Sequence, residues 1–157
     1  RGGRPGGWRG GHFRLERFLK LKKHTEQEWE IKLGKATSEC LSVERRIDEA
    51  LQGMASAFHQ IHAPQRELDM NFITSAQRYM DRLSGTVAEL EDELVIKEAE
   101  RREVQEGYLE ASKERKVLDK LKERRAEEFY KAERDEEKKE LDDINTSSYI
   151  RNRREDA

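Results

Sequence analysis

Apolar residues in the first half of the chain recur in alternating steps of three and four. Fourteen positions follow this spacing from residue 15 to residue 61, and twelve of them are apolar. They are Leu15, Leu19, Lys22, Glu26, Trp29, Leu33, Ala36, Cys40, Val43, Ile47, Ala50, Met54, Ala57 and Ile61. We call this set the first seam. Such a heptad pattern predicts a helix that supercoils against a partner helix.

A second seam with the same spacing begins at residue 73. Its first seven positions are all apolar: Ile73, Ala76, Met80, Leu83, Val87, Leu90 and Leu94. The same register then gives Lys97, Arg101, Val104, Tyr108, Ala111, Arg115, Leu118, Lys122, Arg125, Phe129 and Ala132, of which only six are apolar. The pairing of the second helix should therefore weaken toward its end.

The ends of the two helices are predicted from local signals. Pro64 disfavours the α conformation in Ala63 and can itself begin the next helix, so the turn should lie near residues 62–67. Asn145 and the sequence TSS at 146–148 are expected to end the second helix. The predicted organisation is thus a flexible Gly/Arg-rich leader at 1–12, a coiled coil at 13–145 and a flexible tail at 146–157.

Two long helices joined by a short turn should fold back on each other, which predicts an all-α antiparallel coiled-coil hairpin. A turn centred near Pro64 would place Leu94 opposite Lys35, and Tyr108 opposite Leu21. Residues beyond about Leu118 would then lack a partner on the first helix and should form an exposed, charged helix.

Composition supports long helices and adds little about partners. Charged residues make up 42% of the chain, hydrophobic residues 34%, and there are only two prolines. The net charge of −2 does not single out nucleic acid or a membrane as a partner. No run of about 18 apolar residues spans a bilayer and no signal-peptide pattern opens the chain, so we expect a cytoplasmic protein.

Candidate sites for chemistry are few. His59 and His62 have a spacing that can hold a metal, but no third ligand accompanies them, so solvated histidines near the turn are favoured and no metal or cofactor is expected. Cys40 lies on the first seam and should be buried. The leader RGGRPGG has two Arg-Gly repeats, too few to favour RNA binding. Catalysis is not expected, because a two-helix hairpin has no desolvated pocket.

Both ends of the predicted hairpin resemble a known family. The stretch FRLERFLKLKKHTEQEWEIKLGKA, which starts at Phe13, is similar to the opening of the flagellar export protein FliJ family. The stretch KERKVLDKLKERRAEEFYKAERDEEKKELDDI, which starts at Lys113, is similar to the C-terminal half of that family. The middle of the chain matches only as coiled coil.

This resemblance implies a non-enzymatic component of the flagellar type III protein export apparatus. It implies a coiled coil similar to the stalk of the rotary ATPase γ subunit, docked in an export ATPase hexamer. It also implies contact with the membrane export gate, escort of export chaperones, and a position at the inner face of the cytoplasmic membrane. The implied ATPase-binding residues are Phe13, Leu15, Phe18, Leu19, Leu118, Leu121, Arg124, Arg125, Phe129 and Tyr130.

An alternative interpretation is a generic coiled-coil scaffold or dimerisation module whose seams pair between chains. In that case Lys22 and Glu26 would set the register of a dimer. The hairpin interpretation instead expects a monomer with a seam that is weakened at Lys22 and Glu26. Exposed aromatic residues such as Phe18, Trp29 and Phe129 would then be free to contact a partner.

Overall fold

Two long α-helices make up the fold. The computed structural model describes residues 5–63 and 69–156, with side chains from Gly10 onward. Helix α1 runs over Pro5–Ile61 and helix α2 over Met70–Glu155. The two helices pack against each other, which confirms the prediction of an all-α helical hairpin.

Capping bonds mark the two helix ends at the connection. The side chain of Asp69 accepts a hydrogen bond from the backbone N–H of Asn71 at 3.0 Å, which is the geometry of an N-cap. At the end of α1, the backbone N–H of His62 donates to the carbonyl of Phe58 at 3.2 Å, and Ala63 is no longer helical. Helix α2 therefore begins at Met70 and not at Pro64, which lies outside the described residues.

The outer ends of both helices reach further than the sequence signals predicted. Helix α1 begins at Pro5 instead of near Phe13, and Pro suits the first position of a helix because its missing N–H has no intrahelical role there. Helix α2 continues through the predicted stop at Asn145. The hydroxyl of Thr146 donates to the carbonyl of Asp142 at 2.8 Å, so this residue bonds back to the helix it was expected to end.

The chain divides into two compact units. The terminal unit is Arg1–Lys23 with Lys113–Ala157, and the middle unit is His24–Ser112. Each unit contains a part of α1 and an antiparallel part of α2. All fourteen positions of the first seam are buried or partly buried, as are those of the second seam from Ile73 to Lys122. The heptad assignment is therefore confirmed over these ranges.

The pairing of the helices differs from the predicted register by about one heptad. In the middle unit, Trp29 packs against Gly107, and Lys97 donates to Glu39 at 3.3 Å. The predicted register had placed Leu21, not Trp29, near this part of α2. A shift of seven residues leaves every seam position on the seam, so hydrophobic periodicity cannot tell the two registers apart.

Small residues let the helices of the middle unit approach closely. A Cβ atom added to Gly107 would lie 2.5 Å from the ring of Trp29, and one added to Gly53 would lie 3.0 Å from Leu83. Trp29 is thus a packing residue of the middle unit and not the exposed aromatic that was expected. The buried residues of this unit are Cys40, Val43, Ala50, Ala57, Leu90, Ala111 and Ser112.

Candidate interaction face of the terminal unit

The terminal unit contains all ten residues that the sequence resemblance implied for partner binding. Two of them are its core, because Leu15 and Leu19 are only 6% and 4% exposed. Leu118 and Leu121 are partly buried on α2. These four leucines thus lie mainly inside the terminal unit.

The other six implied residues lie at the surface. Phe13, Phe18 and Tyr130 are exposed by 65%, 58% and 60%. Phe129 is less exposed and its ring meets that of Tyr130 edge to face, with the ring centroids 5.8 Å apart. Arg124 and Arg125 are also exposed. Aromatic and arginine side chains at a surface have the chemistry typical of binding hot spots.

A groove joins α1 to α2 near the start of the described side chains. Its walls include Leu15 and His12 from α1, with Arg125 and Phe129 from α2, and its volume is about 730 Å³. Gly11 lies at its edge, and a Cβ at that position would be 3.7 Å from the guanidinium of Arg125. The groove brings together parts of the two sequence stretches that are about 110 residues apart in the chain.

Ion pairs cross between the helices of this unit. Lys122 contacts Glu16 at 2.9 Å, and Lys22 contacts Glu114 at 2.8 Å. Lys22, which interrupts the first seam, thus has an acidic partner on the same chain. The hydrogen bond from Lys122, together with its charge, lowers the pKa of Glu16 from 4.5, and the neighbouring His12 adds to the same effect.

The contacts of Lys122 correct one prediction. Residues beyond about Leu118 were expected to lack a partner on the first helix, yet Lys122 and Arg125 both lie against α1. The reason is the one-heptad shift in register combined with the earlier start of α1. Residues 127–156 are all exposed instead, although Phe129 among them is only 39% exposed.

Several surface residues of this unit were not singled out by the sequence. Leu21 and Val117 are exposed by 57% and 64%, and Arg14 and Arg17 are exposed beside Leu21. These residues do not lie at seam positions, and this signal in the sequence could have placed them on the outer face of their helix. Only the register between the helices, however, shows which parts of α1 and α2 belong to one unit.

Metal binding and membrane spanning find no support in the described residues. Within 5–63 and 69–156 there is no group of three or more His, Cys, Asp or Glu side chains that could hold a metal ion. His62 lies over Phe58, with ring centroids 4.2 Å apart, and its Nδ1 is 2.9 Å from the carbonyl of that residue. Over the same part of the chain, neither helix has a segment long and apolar enough to cross a membrane.

Comparison with known protein families gives a match over most of the chain. A family model described as "Flagellar FliJ protein" matches residues 11–154, which is nearly the whole chain. Searches of curated proteins and of solved structures give no significant match.

Proposed function

This chain belongs to the FliJ family of flagellar proteins, and on that basis we propose that it binds the flagellar export ATPase hexamer and links it to the membrane export gate. The family is a non-enzymatic component of flagellar export, which is the broader role of this chain. The ATPase, the gate and the escort of export chaperones are the specific partners that we propose.

The observation that carries the proposal is the exposure of the implied aromatic residues in the terminal unit. Phe13, Phe18 and Tyr130 each leave more than half of their surface in contact with solvent. Burying such a side chain at an interface contributes about 1.5–3 kcal/mol, and in the described part of the chain these three side chains keep most of their area exposed. Arg124 and Arg125 add cationic groups that can pair with carboxylates of a partner.

The two buried leucines, Leu15 and Leu19, hold the part of α1 that carries this surface in place. Leu15 and Leu19 pack within the terminal unit, so the neighbouring Phe13 and Phe18 are presented from a helix and not from a loop. A binding site on a rigid element loses less conformational entropy on association. We therefore assign docking to the six exposed residues and scaffolding to the four leucines.

The proposed location follows from the proposed partners. A chain that contacts the ATPase and the export gate would act in the cytoplasm, at the periphery of the inner face of the cytoplasmic membrane and at the base of the flagellum. We also propose that the chain is monomeric, because the residues of both seams find their contacts within one chain in each unit.

The test is light scattering coupled to size-exclusion chromatography, with and without the cognate export ATPase. We expect the wild-type chain to elute as a monomer of 18.5 kDa and to shift onto the ATPase oligomer when the two are mixed. The double variant Phe18→Ala, Phe129→Ala should lose this shift. Co-elution that is unchanged in the double variant would overturn the docking assignment.

A matched control comes from the middle unit. Ile31 and Leu41 are exposed by 74% and 54%, and neither belongs to the implied surface. The double variant Ile31→Ala, Leu41→Ala removes a similar amount of apolar surface and should bind the ATPase like the wild type. A stable dimer that ignores the ATPase would instead favour the scaffold alternative.

A further inference from the structure

Charge is segregated in the terminal unit. Its two-helix body, residues 10–23 and 113–126, has twelve Lys and Arg against four Asp and Glu, a net charge of +8. The whole chain has a net charge of −2, so its overall composition does not reveal this local excess of positive charge. It arises because the fold joins two basic stretches that lie about 90 residues apart.

Three of the four acids of this body take part in ion pairs. Glu16 pairs with Lys122, Glu114 with Lys22, and Asp119 with Arg115. Nine of its Lys and Arg are exposed: Arg14, Arg17, Lys20, Lys23, Lys113, Lys116, Lys120, Arg124 and Arg125. The surface potential of this body is therefore strongly positive.

Apolar side chains are interleaved with these cations on one face. On α1, Phe18 and Leu21 are exposed by 58% and 57% and line a shallow depression with Arg14 and Arg17. On α2, Val117 is 64% exposed. We call the surface formed by these residues with Arg124 the basic-apolar face.

The placement of Val117 on this face follows from helical spacing. Residues 114, 117, 121 and 124 are three or four apart and lie on one side of α2. Glu114 on that side bonds Lys22, and Phe18 precedes Lys22 by one helical turn. The exposed apolar residues of α1 and α2 therefore flank the same side of the helix pair.

We propose that the basic-apolar face binds an anionic lipid surface. Headgroup phosphates attract lysine and arginine at roughly 1 kcal/mol each near a membrane, while exposed apolar side chains enter the boundary between headgroups and acyl chains. Nucleic acid would use the cations but gives aliphatic side chains such as Leu21 and Val117 little to contact. A face that combines exposed cations with exposed apolar side chains is typical of proteins that bind at a membrane interface.

The contact surface is limited to the two-helix body. Beyond it, residues 127–156 contain eleven acidic residues against seven Lys and Arg and would be repelled by anionic headgroups. The face also includes Phe18 and Arg124, which the proposed function assigns to the ATPase. Lipid and ATPase should therefore compete for the same surface of the chain.

The experiment is flotation of the purified full-length chain with vesicles of phosphatidylcholine alone or mixed with phosphatidylglycerol. We expect binding to the anionic vesicles only, and weaker binding as salt increases. The variant Arg14→Ser, Arg17→Ser, Arg124→Ser should lower partitioning on the order of a hundredfold. The variant Leu21→Ser, Val117→Ser should lower it about tenfold.

Matched controls use exposed residues of the middle unit. Arg45→Ser, Arg78→Ser, Arg102→Ser removes the same number of arginines, and Ile31→Ser, Val95→Ser removes exposed apolar residues. Both should bind vesicles like the wild type, and circular dichroism should show the same melting temperature for each variant and its control.

Three outcomes would overturn the proposal. They are equal binding to both vesicle types, no effect of the Leu21 and Val117 changes, and binding of polyuridylate that is tighter than binding to the anionic vesicles, which would indicate a nucleic-acid surface. Because the assay contains no ATPase, its result is independent of the docking test. In a separate mixture, anionic vesicles should reduce co-elution with the ATPase.

Discussion

The middle and terminal units are built on the same heptad pattern but use it differently. In the middle unit, alanine, glycine and cysteine at the interface let the helices approach closely, and its charged residues give a net charge of −9 over residues 24–112. In the terminal unit, two buried leucines and interhelical ion pairs hold a body of net charge +8. Other large apolar residues of this unit, such as Phe13, Phe18 and Leu21, are exposed.

This difference separates stability from binding within one hairpin. Close packing removes apolar area from water and fixes the helices, and this contribution is greatest where side chains are fully buried. Exposed aromatic residues contribute little to folding, but they remain available to a partner. The middle unit should therefore tolerate few core changes, and the terminal unit should tolerate many surface changes that affect only binding.

The largest expected effect comes from the core of the middle unit. Val43 is 1% exposed, so Val43→Ala removes two methyl groups and leaves a cavity, at a cost of about 2–3 kcal/mol in the free energy of unfolding. Chemical denaturation measures this change. Val95→Ala, at a position that is 64% exposed, is the control and should change stability by less than about 0.5 kcal/mol. Equal effects would contradict the assigned core.

A smaller effect tests the close approach of the helices. Gly107→Ala would place a Cβ against the ring of Trp29 and should destabilise the protein by about 1 kcal/mol, after the gain in helix propensity is subtracted. At Gly85 nothing lies within 4 Å, so Gly85→Ala should stabilise it by about 1 kcal/mol. Thermal melting of the two variants should give shifts of opposite sign. Two shifts of the same sign would refute the close contact.

A still smaller effect is expected for the charged seam position of the terminal unit. The side chain of Lys22 is 36% exposed where it meets Glu114, and ion pairs at such sites contribute about 0.2–1 kcal/mol. Lys22→Met should therefore change the free energy of unfolding by less than about 1 kcal/mol. A loss of several kcal/mol would mean that the terminal unit depends on this pair as strongly as the middle unit depends on Val43.

The last prediction concerns the pH dependence of Glu16. Because Lys122 lowers the pKa of Glu16 in the folded chain, the ion pair contributes stability above the ordinary value of 4.5. That contribution is lost as the pH falls through the lowered pKa. Glu16→Gln should thus be less stable than the wild type at neutral pH, and the difference should shrink in acid. In a Lys122→Met background the same change should have a smaller effect, because only the contributions of His12 and Lys23 remain, and an undiminished difference would point to another cause.

Much of the fold could be predicted from the sequence. Periodicity identified two helices, and all fourteen positions of the first seam are buried or partly buried. The helix ends were harder to predict, since Pro5 could begin a helix as readily as belong to a loop, and Thr146 bonds back to the helix instead of stopping it. Local signals at these residues are compatible with both structures.

Which of the implied binding residues are exposed could not be predicted from the sequence. The resemblance pointed to Phe13, Phe18 and Tyr130, which are exposed, but also to Leu15 and Leu19, which are buried. Nothing in the local sequence separates these two groups, because each contains large apolar residues close to one another. Which of them face α2 depends on the direction of the partner helix.

The sequence by itself determined that this chain forms two amphipathic helices, because the spacing of apolar residues depends only on the geometry of one helix. The tertiary structure decided which residues of α1 meet which residues of α2. A slip of one heptad preserves the apolar spacing but changes every partner, so contacts such as Trp29 with Gly107 and Glu16 with Lys122 select the register. That register unites the two basic stretches into one body and leaves Phe18 and Leu21 at its surface.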